Sequence, residues 1–479
     1  MSSVPNRGGL RRRALQGALW TSGTTALLVP VQVAQLALLG RLLGVEGFGR
    51  YALLQTVAVT AIGLSDLGVS DALSRRGARA ASGRHSRAIS GAARQVATWY
   101  LLRLWVPLVP LALLMEPATA CLYAVALLVN ALSMSAAATL TMSSDYRAAS
   151  LIKTLGTLDA VGATVAAASY RADPELVLVA GALAGNVVSL LLLRALPAGE
   201  RLRHLLPQLP RLTRADVRIG LGVFSLTQLE QYVFGRTELF FFSDSQAAAR
   251  GGYAAGQSVA ARSTLLLDAL FGPLPIALAE AHASGAEAWQ RAARQVLTVT
   301  SRVIRAAAAP LLALSISVPP LLFGSQYDHA LAVTEVLTAV SLLQTTALPH
   351  GALRFALGSY ASAVPIGIGA VLLDVLLCLT LVPRYGAAGA AAAATASGTV
   401  YVTCNAVWLH RAAPGLGVLR HYVRTALVIA VAALVALLLL QLPLVPRVAC
   451  ALALAVVAVA PVLFRGGLRG VRQQLLAVD

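Results

Sequence analysis

The sequence predicts an all-α integral membrane protein with about 14 transmembrane helices: two parallel six-helix repeats that form two lobes around a central cavity, plus two C-terminal helices. Of its 479 residues, 58% are hydrophobic and only 12% are charged, and a soluble chain of this length would need a more polar surface. Apolar runs of about 18–25 residues recur between short arginine-rich segments, as in polytopic membrane proteins. A ten-residue phrase that occurs twice predicts the duplication.

The apolar runs predict the position of each span. The first run follows a basic N-terminus but is too long for the apolar core of a signal peptide, so we interpret it as an uncleaved first span. The predicted spans are 17–40, 51–73, 95–115, 118–141, 152–170, 175–193, 219–242, 252–280, 295–318, 330–349, 360–382, 387–409, 425–442 and 447–464.

The basic residues predict the orientation of these spans. With the N-terminus in the cytoplasm, the inside segments hold 27 basic residues and the outside loops hold 6, which is a strong positive-inside asymmetry. Both termini are therefore expected in the cytoplasm. Basic residues that are almost all arginine, with abundant alanine, suggest a GC-rich bacterial genome, so the expected location is a bacterial cytoplasmic membrane. The formal charge of +18 is spread over short loops rather than along one stripe, so nucleic acid is not expected as a partner.

The repeated phrase predicts an internal duplication. "GRYALLQTVA" at 49–58 and "GGYAAGQSVA" at 251–260 share the pattern G-x-Y-A-x-x-Q-[S/T]-V-A. Each copy opens the second span of a six-span unit, and an even number of spans gives both units the same orientation. The predicted organisation is a six-helix lobe at 1–193, a basic cytoplasmic linker at 194–218, a second six-helix lobe at 219–410, and two additional helices with a cytoplasmic tail at 411–479.

Three blocks of the sequence carry a family resemblance. The first is "LLGRLLGVEGFGRYALLQTVAVTAIGLSDLGVSDAL" at 38–73, with a basic residue before "LG", a "G-x-Y" and an "S-D-L-G"; the others are "LLFGSQYDHA" at 321–330 and "LVPRYGAAGAAAAATASG" at 381–398. In this order they resemble the polysaccharide transporter family, the lipid-linked oligosaccharide flippases of the multidrug/oligosaccharidyl-lipid/polysaccharide exporter (MOP) superfamily. The resemblance covers nearly the whole chain. It departs in span 7, where the family often has an Asp-Arg pair and this chain has Arg236 and Glu238.

The resemblance implies a transporter rather than an enzyme. It implies a flippase that moves a polyprenyl-diphosphate-linked oligosaccharide or polysaccharide precursor across the membrane by alternating access. The implied partners are the lipid-linked glycan, membrane lipids, and a polysaccharide polymerase with its glycosyltransferases. An ion-coupled drug or metabolite exporter of the same superfamily is the second reading. A membrane-embedded glycosyltransferase or polymerase is a distant third, because no outer loop is large enough for a catalytic domain.

Arginines inside the spans are the candidates for substrate binding, because ionisable residues at membrane depth are costly and commonly functional. Arg302 and Arg305 share one face of span 9, and Arg262 lies in span 8. We expect these three, with Arg41 and Arg236, to line the cavity and hold the anionic head group, since guanidinium binds phosphate oxygens in bidentate fashion. The alternatives are ion pairs within the protein, or for Arg103 and Arg236 an extension toward the interface.

Acidic and amide side chains complete the predicted site. Glu230, Asp66, Asp268 and Asp374 are the candidates for coupling to H⁺ or Na⁺, since a carboxylate in a low-dielectric cavity favours a proton or a bound cation; structural pairing with arginines is the alternative. Amide side chains on the first span of each lobe are candidates for binding sugar hydroxyls or for hydrogen bonds between helices; they are Gln32, Gln35, Gln228 and Gln231. No cofactor or metal site is expected, and no Walker A sequence appears.

The predicted orientation is testable with reporter domains. Fusions after Arg94 and Arg218 are expected to report from the cytoplasm, and fusions near Pro174 and Asp328 from outside, because the basic segments stay inside. The measurement is the activity of a compartment-sensitive reporter at each point. An external signal at Arg218 would contradict the two-repeat topology.

Overall fold

A computed structural model of the chain describes most of the 479 residues, and within them the chain is helical and contains no strand. The described residues are 7–70, 72–73, 86–142, 146–170, 173–190, 208–210, 212–229, 236–271, 274, 278, 281–282, 285–359, 361–443, 445–450 and 453. The chain divides into two compact units, of which the first ends at Phe224 and the second begins at Ser225. The predicted lobe and linker boundaries stay a prediction.

The first unit is a set of packed helices in which α1 and α4 each contact several others. Helices α5 and α6 approach closely through Gly156 and Gly185, where an added methyl on Gly156 would lie 3.0 Å from the Gly185 carbonyl oxygen; small residues let helix backbones approach in this way. The described helices of this unit are α1 Arg7–Asp66, α2 Ser86–Leu102, α3 Trp105–Leu114, α4 Pro117–Met142, α5 Tyr146–Ser169, α6 Pro174–Ser189 and α7 Arg214–Val223.

In the second unit, α8 packs against α11, α9 against α14, and α11 against α13. Its described helices are α8 Ala247–Phe271, α9 Ala286–Ser315, α10 Val318–Phe323, α11 Leu331–Thr345, α12 Ala347–Ala356, α13 Ala363–Ala412 and α14 Val418–Leu439. Single helical turns at Thr237–Phe241, Asp244–Gln246, Ser325–Ala330 and Pro414–Leu416 connect or precede them.

Two of the helices each contain two predicted spans. Helix α1 runs through spans 1 and 2 and bends at Gly44 (φ 69°), and α13 runs through spans 11 and 12 and bends at Gly386 (φ 54°). Glycine accepts positive φ because it has no Cβ, so each helix has a kink at a glycine where the sequence predicts a turn between two spans. Within the described ranges, seven helical stretches are long and apolar enough to cross a membrane, and α1 and α13 are among them.

Two predicted spans are broken in the structure, which the apolar pattern alone did not indicate. In span 3, α2 ends at Leu102 and α3 begins at Trp105. In span 7, α7 ends at Val223 and continues as a wider π-type turn at Phe224–Gln228. Such turns often mark functional segments of helices. Span 14 lies mostly outside the described residues.

The repeated phrase has the same local role in each unit. Tyr51 is buried and its ring stacks against Phe48, with 6.4 Å between centroids. Tyr253 is fully buried against Phe242, with 5.8 Å between centroids. The tyrosine of each copy is therefore buried against a phenylalanine, which lies three residues before it in the first unit and eleven residues before it in the second.

The "S-D-L-G" segment ends α1 in a tight turn. Leu67 and Gly68 both adopt positive φ, 46° and 70°, a conformation that side chains other than glycine rarely take. A Cβ on Gly68 would lie 2.2 Å from the Gly220 carbonyl oxygen of α7. The turn and the start of α7 therefore touch backbone to backbone, and only glycine fits.

Replacing Gly68 with alanine should destabilise the protein. The left-handed backbone costs roughly 1–2 kcal/mol for a side chain, and the clash with Gly220 adds about 1–3 kcal/mol of overpacking. The measurement is thermal unfolding of the purified protein in detergent. Gly162→Ala on α5 is the matched control, because a Cβ there meets no atom within 4 Å; equal unfolding temperatures for the two variants would contradict this close contact.

Candidate functional site

The first polar cluster lies in the first unit, around Asp66 at the end of α1. Asp66 Oδ1 accepts hydrogen bonds from the Ser70 backbone N at 3.3 Å, from Ser70 Oγ at 2.5 Å and from Trp99 Nε1 at 3.2 Å. It also pairs with Arg103 Nη1 at 3.0 Å. Asp66 and Arg103 are both buried, so the motif residue Asp66 takes part in a buried ion pair between α1 and the break in span 3.

Arg103 is held in place from several sides. Its Nη1 also donates to the Ile62 carbonyl at 3.1 Å and to Ser65 Oγ at 3.3 Å, and its guanidinium lies 3.9 Å from the centroid of the Tyr100 ring. One of the two alternatives predicted for Arg103 was that its side chain extends toward the membrane–water interface. This prediction is wrong, because only 6% of the residue is exposed. A guanidinium in an apolar interior needs such a partner set. The break between α2 and α3 places it there.

The second polar cluster lies in the second unit, around Asp374 in the first half of α13. Thr237 Oγ1 donates to Asp374 Oδ2 at 3.0 Å, and Ser397 Oγ donates to Asp374 Oδ1 at 2.8 Å. Glu238, the next residue after Thr237, and Tyr253 are both fully buried close to this carboxylate. Within the described residues Asp374 has hydroxyl partners and no ion pair. The arrangement presents carboxylate and hydroxyl oxygens at one buried point.

Among the residues that the structure describes, the second unit holds two further buried acids outside the predicted set, Glu238 and Glu335. Glu238 belongs to the Asp374 cluster, and its signal in the sequence is its place in span 7, where the resemblance implies an acid next to an arginine. Glu335 on α11 is fully buried and accepts a hydrogen bond from Ser315 Oγ on α9 at 2.6 Å. An acid inside span 10 is costly to bury when it is charged, so its position was a signal in the sequence. Nothing in the sequence showed that Glu335 faces α9.

Arg354 of α12 is a buried cation that the sequence placed in a cytoplasmic loop. It is fully buried, donates to Asn405 Oδ1 and, at 2.8 Å, to Ser362 Oγ, and lies 4.1 Å from the centroid of the Trp408 ring. These contacts tie α12 to the two ends of α13. The role is one of packing within the second unit.

The predicted substrate arginines occupy three different settings. Arg302 is exposed and Arg305 half-buried on α9, and both lie near enough to His421, at the start of α14, for their charges to act on its imidazole, as do Arg420 and Arg424. The remaining candidates are dispersed: Arg262 is half-buried on α8, Arg41 is exposed on α1, and Arg236 is half-buried before the turn at Thr237. Their binding of substrate stays a prediction.

The other predicted site residues are only partly described. Gln35 Nε2 donates to Thr164 Oγ1 of α5 at 2.6 Å, and Gln32 is half-buried on α1. Two roles were predicted for Gln35, binding of sugar hydroxyls and hydrogen bonding between helices. The structure shows the second. Four predicted site residues are not fully described. Glu230 and Gln231 lie outside the described residues, and so do the side chains of Gln228 and Asp268.

Comparison with known proteins identifies the family. The model of the family described as "Polysaccharide biosynthesis protein" matches residues 14–257, more than half of the chain. The chain belongs to this polysaccharide biosynthesis protein family. A search of curated protein sequences finds no significant match.

Solved structures share the fold of this family member. The lipid II flippase MurJ in an inward closed conformation superposes with a TM-score of 0.59 at 12% identity, covering 91% of this chain and 98% of MurJ. An inward-facing multidrug resistance MATE transporter of the MOP superfamily gives 0.57 at 13% identity, covering 83% and 98%. A mutant of the Vibrio cholerae MATE transporter VcmN gives 0.52 at 15% identity, covering 85% and 98%. The chain is therefore a multi-pass membrane protein that shares the fold of these transporters, as its sequence predicted.

The Asp66–Arg103 pair should behave as one energetic unit. Asp66→Asn or Arg103→Gln leaves a buried charge without its partner and should cost about 3–5 kcal/mol. The double variant removes both charges, so its destabilisation should be well below the sum of the two. Thermal unfolding in detergent measures all three, with Asp159→Asn, an exposed acid on α5, as the matched control. Additive effects would contradict a coupled pair.

Proposed function

We propose that the protein is a flippase for a polyprenyl-diphosphate-linked oligosaccharide or polysaccharide precursor, which it moves from the inner to the outer leaflet of a bacterial cytoplasmic membrane by alternating access. Membership of the polysaccharide biosynthesis protein family over residues 14–257 carries this proposal. The similarity of its fold to that of a lipid II flippase supports it. The glycosyltransferases and the polymerase that make and extend the glycan are the proposed functional partners.

The Asp374 cluster supports an ion-coupled cycle. A carboxylate buried with only neutral hydroxyl partners is costly when charged, and a proton or Na⁺ relieves this cost. Carboxylate and hydroxyl oxygens are the ligands that hard cations prefer. Thr237 precedes α8, Asp374 lies before the Gly386 kink and Ser397 lies after it. Gain or loss of the ion would therefore change the packing of three segments at once, which is the property a coupling site needs.

The proposed substrate contacts follow from the chemistry of a lipid-linked glycan. Its diphosphate needs guanidinium groups, for which the half-buried Arg262 is the candidate in the second unit, together with Arg41 and Arg236. Its sugars need amide and hydroxyl partners, for which Gln32 on α1 is a candidate. No acid–base pair of a hydrolase is required by this mechanism.

Export of a drug or metabolite is the second candidate. The observation that favours it is a likeness to the MATE transporter fold, with a TM-score of 0.57, nearly equal to the likeness to the flippase. The same Asp374 cluster would couple either activity to an ion. The two candidates differ only in whether the cargo carries a lipid.

Transport assays in liposomes separate the two candidates. The purified protein should expose a fluorescently labelled lipid-linked oligosaccharide to the opposite leaflet, and Asp374→Asn should slow this at least about tenfold, because it removes the charge that the coupling ion neutralises. Asp328→Asn, an exposed acid at the end of the second unit's outer turn, is the matched control and should transport normally. Ion-driven transport of a soluble drug without movement of the lipid would reject the flippase in favour of the exporter. If the Asp374→Asn variant still coupled transport to an ion as the wild type does, Asp374 would not be the coupling site, but the proposed flippase function would stand.

A further inference from the structure

A cluster of cations lies on the surface of the second unit, where α9 and α14 pack together. We call it the basic surface; its members are Arg302, Arg305, Arg420, His421 and Arg424. The charges of the four arginines all act on His421, and the two helices that carry these residues pack against each other. Arg302, Arg420 and Arg424 are exposed, and Arg305 and His421 are half-buried.

Each helix contributes a pair of arginines on one face. Arg302 and Arg305 are three residues apart on α9, and Arg420 and Arg424 are four apart on α14, so each pair projects from one side of its helix. Arg305 uses Nε to donate to the Ser301 carbonyl at 3.0 Å. Both helices start on the side that the arginine distribution assigns to the cytoplasm. The basic surface therefore lies toward the inner leaflet.

The surrounding sequence contains almost no negative charge to balance this surface. On α9 the preceding carboxylate, Glu287, is 15 residues before Arg302, and the next one along the chain is Asp328. From 375 to 478 there is no aspartate or glutamate, although this stretch holds eight arginines. In the described part of the chain none of the four arginines forms an ion pair. Like charges held together in this way favour binding of an anion.

An apolar stripe continues from the arginines along α14. Leu427, Val431, Leu434 and Leu438 follow Arg420 and Arg424 at alternating intervals of three and four residues, so all six share one side of the helix. These four apolar side chains are between 54% and 64% exposed. A surface with cations at its cytoplasmic end and hydrocarbon along its length matches an anionic lipid rather than a soluble anion.

We infer that the basic surface binds the phosphate of an anionic phospholipid of the inner leaflet, with an acyl chain along the apolar stripe of α14. Guanidinium groups from two helices can hold the phosphate oxygens in bidentate fashion, and anionic lipids attract basic groups at the cytoplasmic surface. The chemistry is the phosphate binding predicted for Arg302 and Arg305, but the occupant is a bilayer lipid rather than the transported substrate. This site does not depend on the proposed transport activity.

Native mass spectrometry of the delipidated full-length protein, titrated with phosphatidylglycerol or phosphatidylcholine, tests the inference. The wild type should bind phosphatidylglycerol at least about tenfold more tightly. Arg420→Gln with Arg424→Gln should weaken it about 25-fold, since each basic group near an anionic surface contributes roughly a factor of five. Arg420→Lys with Arg424→Lys should retain part of the affinity, because lysine keeps the charge but not the bidentate geometry.

The matched control is Arg214→Gln with Arg218→Gln, two exposed arginines four residues apart on α7, which should change the affinity less than twofold. Thermal unfolding establishes that each variant is folded, and Arg302→Gln with Arg305→Gln provides the same test if the α14 pair fails to accumulate. If the control variant lost as much affinity for phosphatidylglycerol, the loss would result from the lower net charge of the protein rather than from a specific site, and the inference would be overturned. Displacement of the lipid by inorganic pyrophosphate at equal concentration would assign the surface to a soluble anion and overturn it as well.

Discussion

The cost of placing an ionisable side chain in an apolar interior governs the polar architecture of this protein. A charge that leaves water without a partner is strongly destabilising, and the spans of this chain nevertheless contain both acids and arginines. Asp66 and Arg103 meet this cost by pairing, with Trp99 and Ser70 as further donors. Asp374 meets it with two hydroxyls and no cation among the described residues. The first carboxylate is neutralised by a cation of the protein, and the second is the site at which we propose that the coupling ion binds.

The backbone adapts to these clusters through glycines and interrupted helices. The positive φ of Gly68 turns the chain after Asp66 and brings it against Gly220, and the break after Leu102 places Arg103 within reach of the same carboxylate. In the second unit, the kink at Gly386 folds α13 back so that Ser397 meets Asp374. A membrane-embedded backbone tolerates such irregularity where protein covers it. The breaks therefore coincide with the polar clusters they assemble.

The arginines of this chain have different kinds of partner, depending on how deeply each one is buried. Arg103 is buried with an acid, and Arg354 is buried with an amide, a hydroxyl and the Trp408 ring. The four arginines of the basic surface are exposed or half-buried and form no ion pair with the acids that the structure describes. Guanidinium suits all three settings because it is weakly hydrated, stacks on aromatic rings and binds oxyanions in a planar fork. In the first two settings the partners are groups of the protein. The third is completed from the bilayer in our inference.

The sequence by itself determined the fold class, the family and most span positions, because a membrane forces the backbone to form long apolar helices whose length and flanking charge can be counted. It also marked Asp66 and Asp374 as costly acids. Tertiary structure decided what each charge faces: that Asp66 meets Arg103, that Thr237 and Ser397 meet Asp374, and that the helix of Arg302 and Arg305 packs against the helix of Arg420 and Arg424. Helical spacing gives the face that a residue shares with its neighbours in sequence, but the partner on that face comes from a distant segment, and local periodicity carries no information about it.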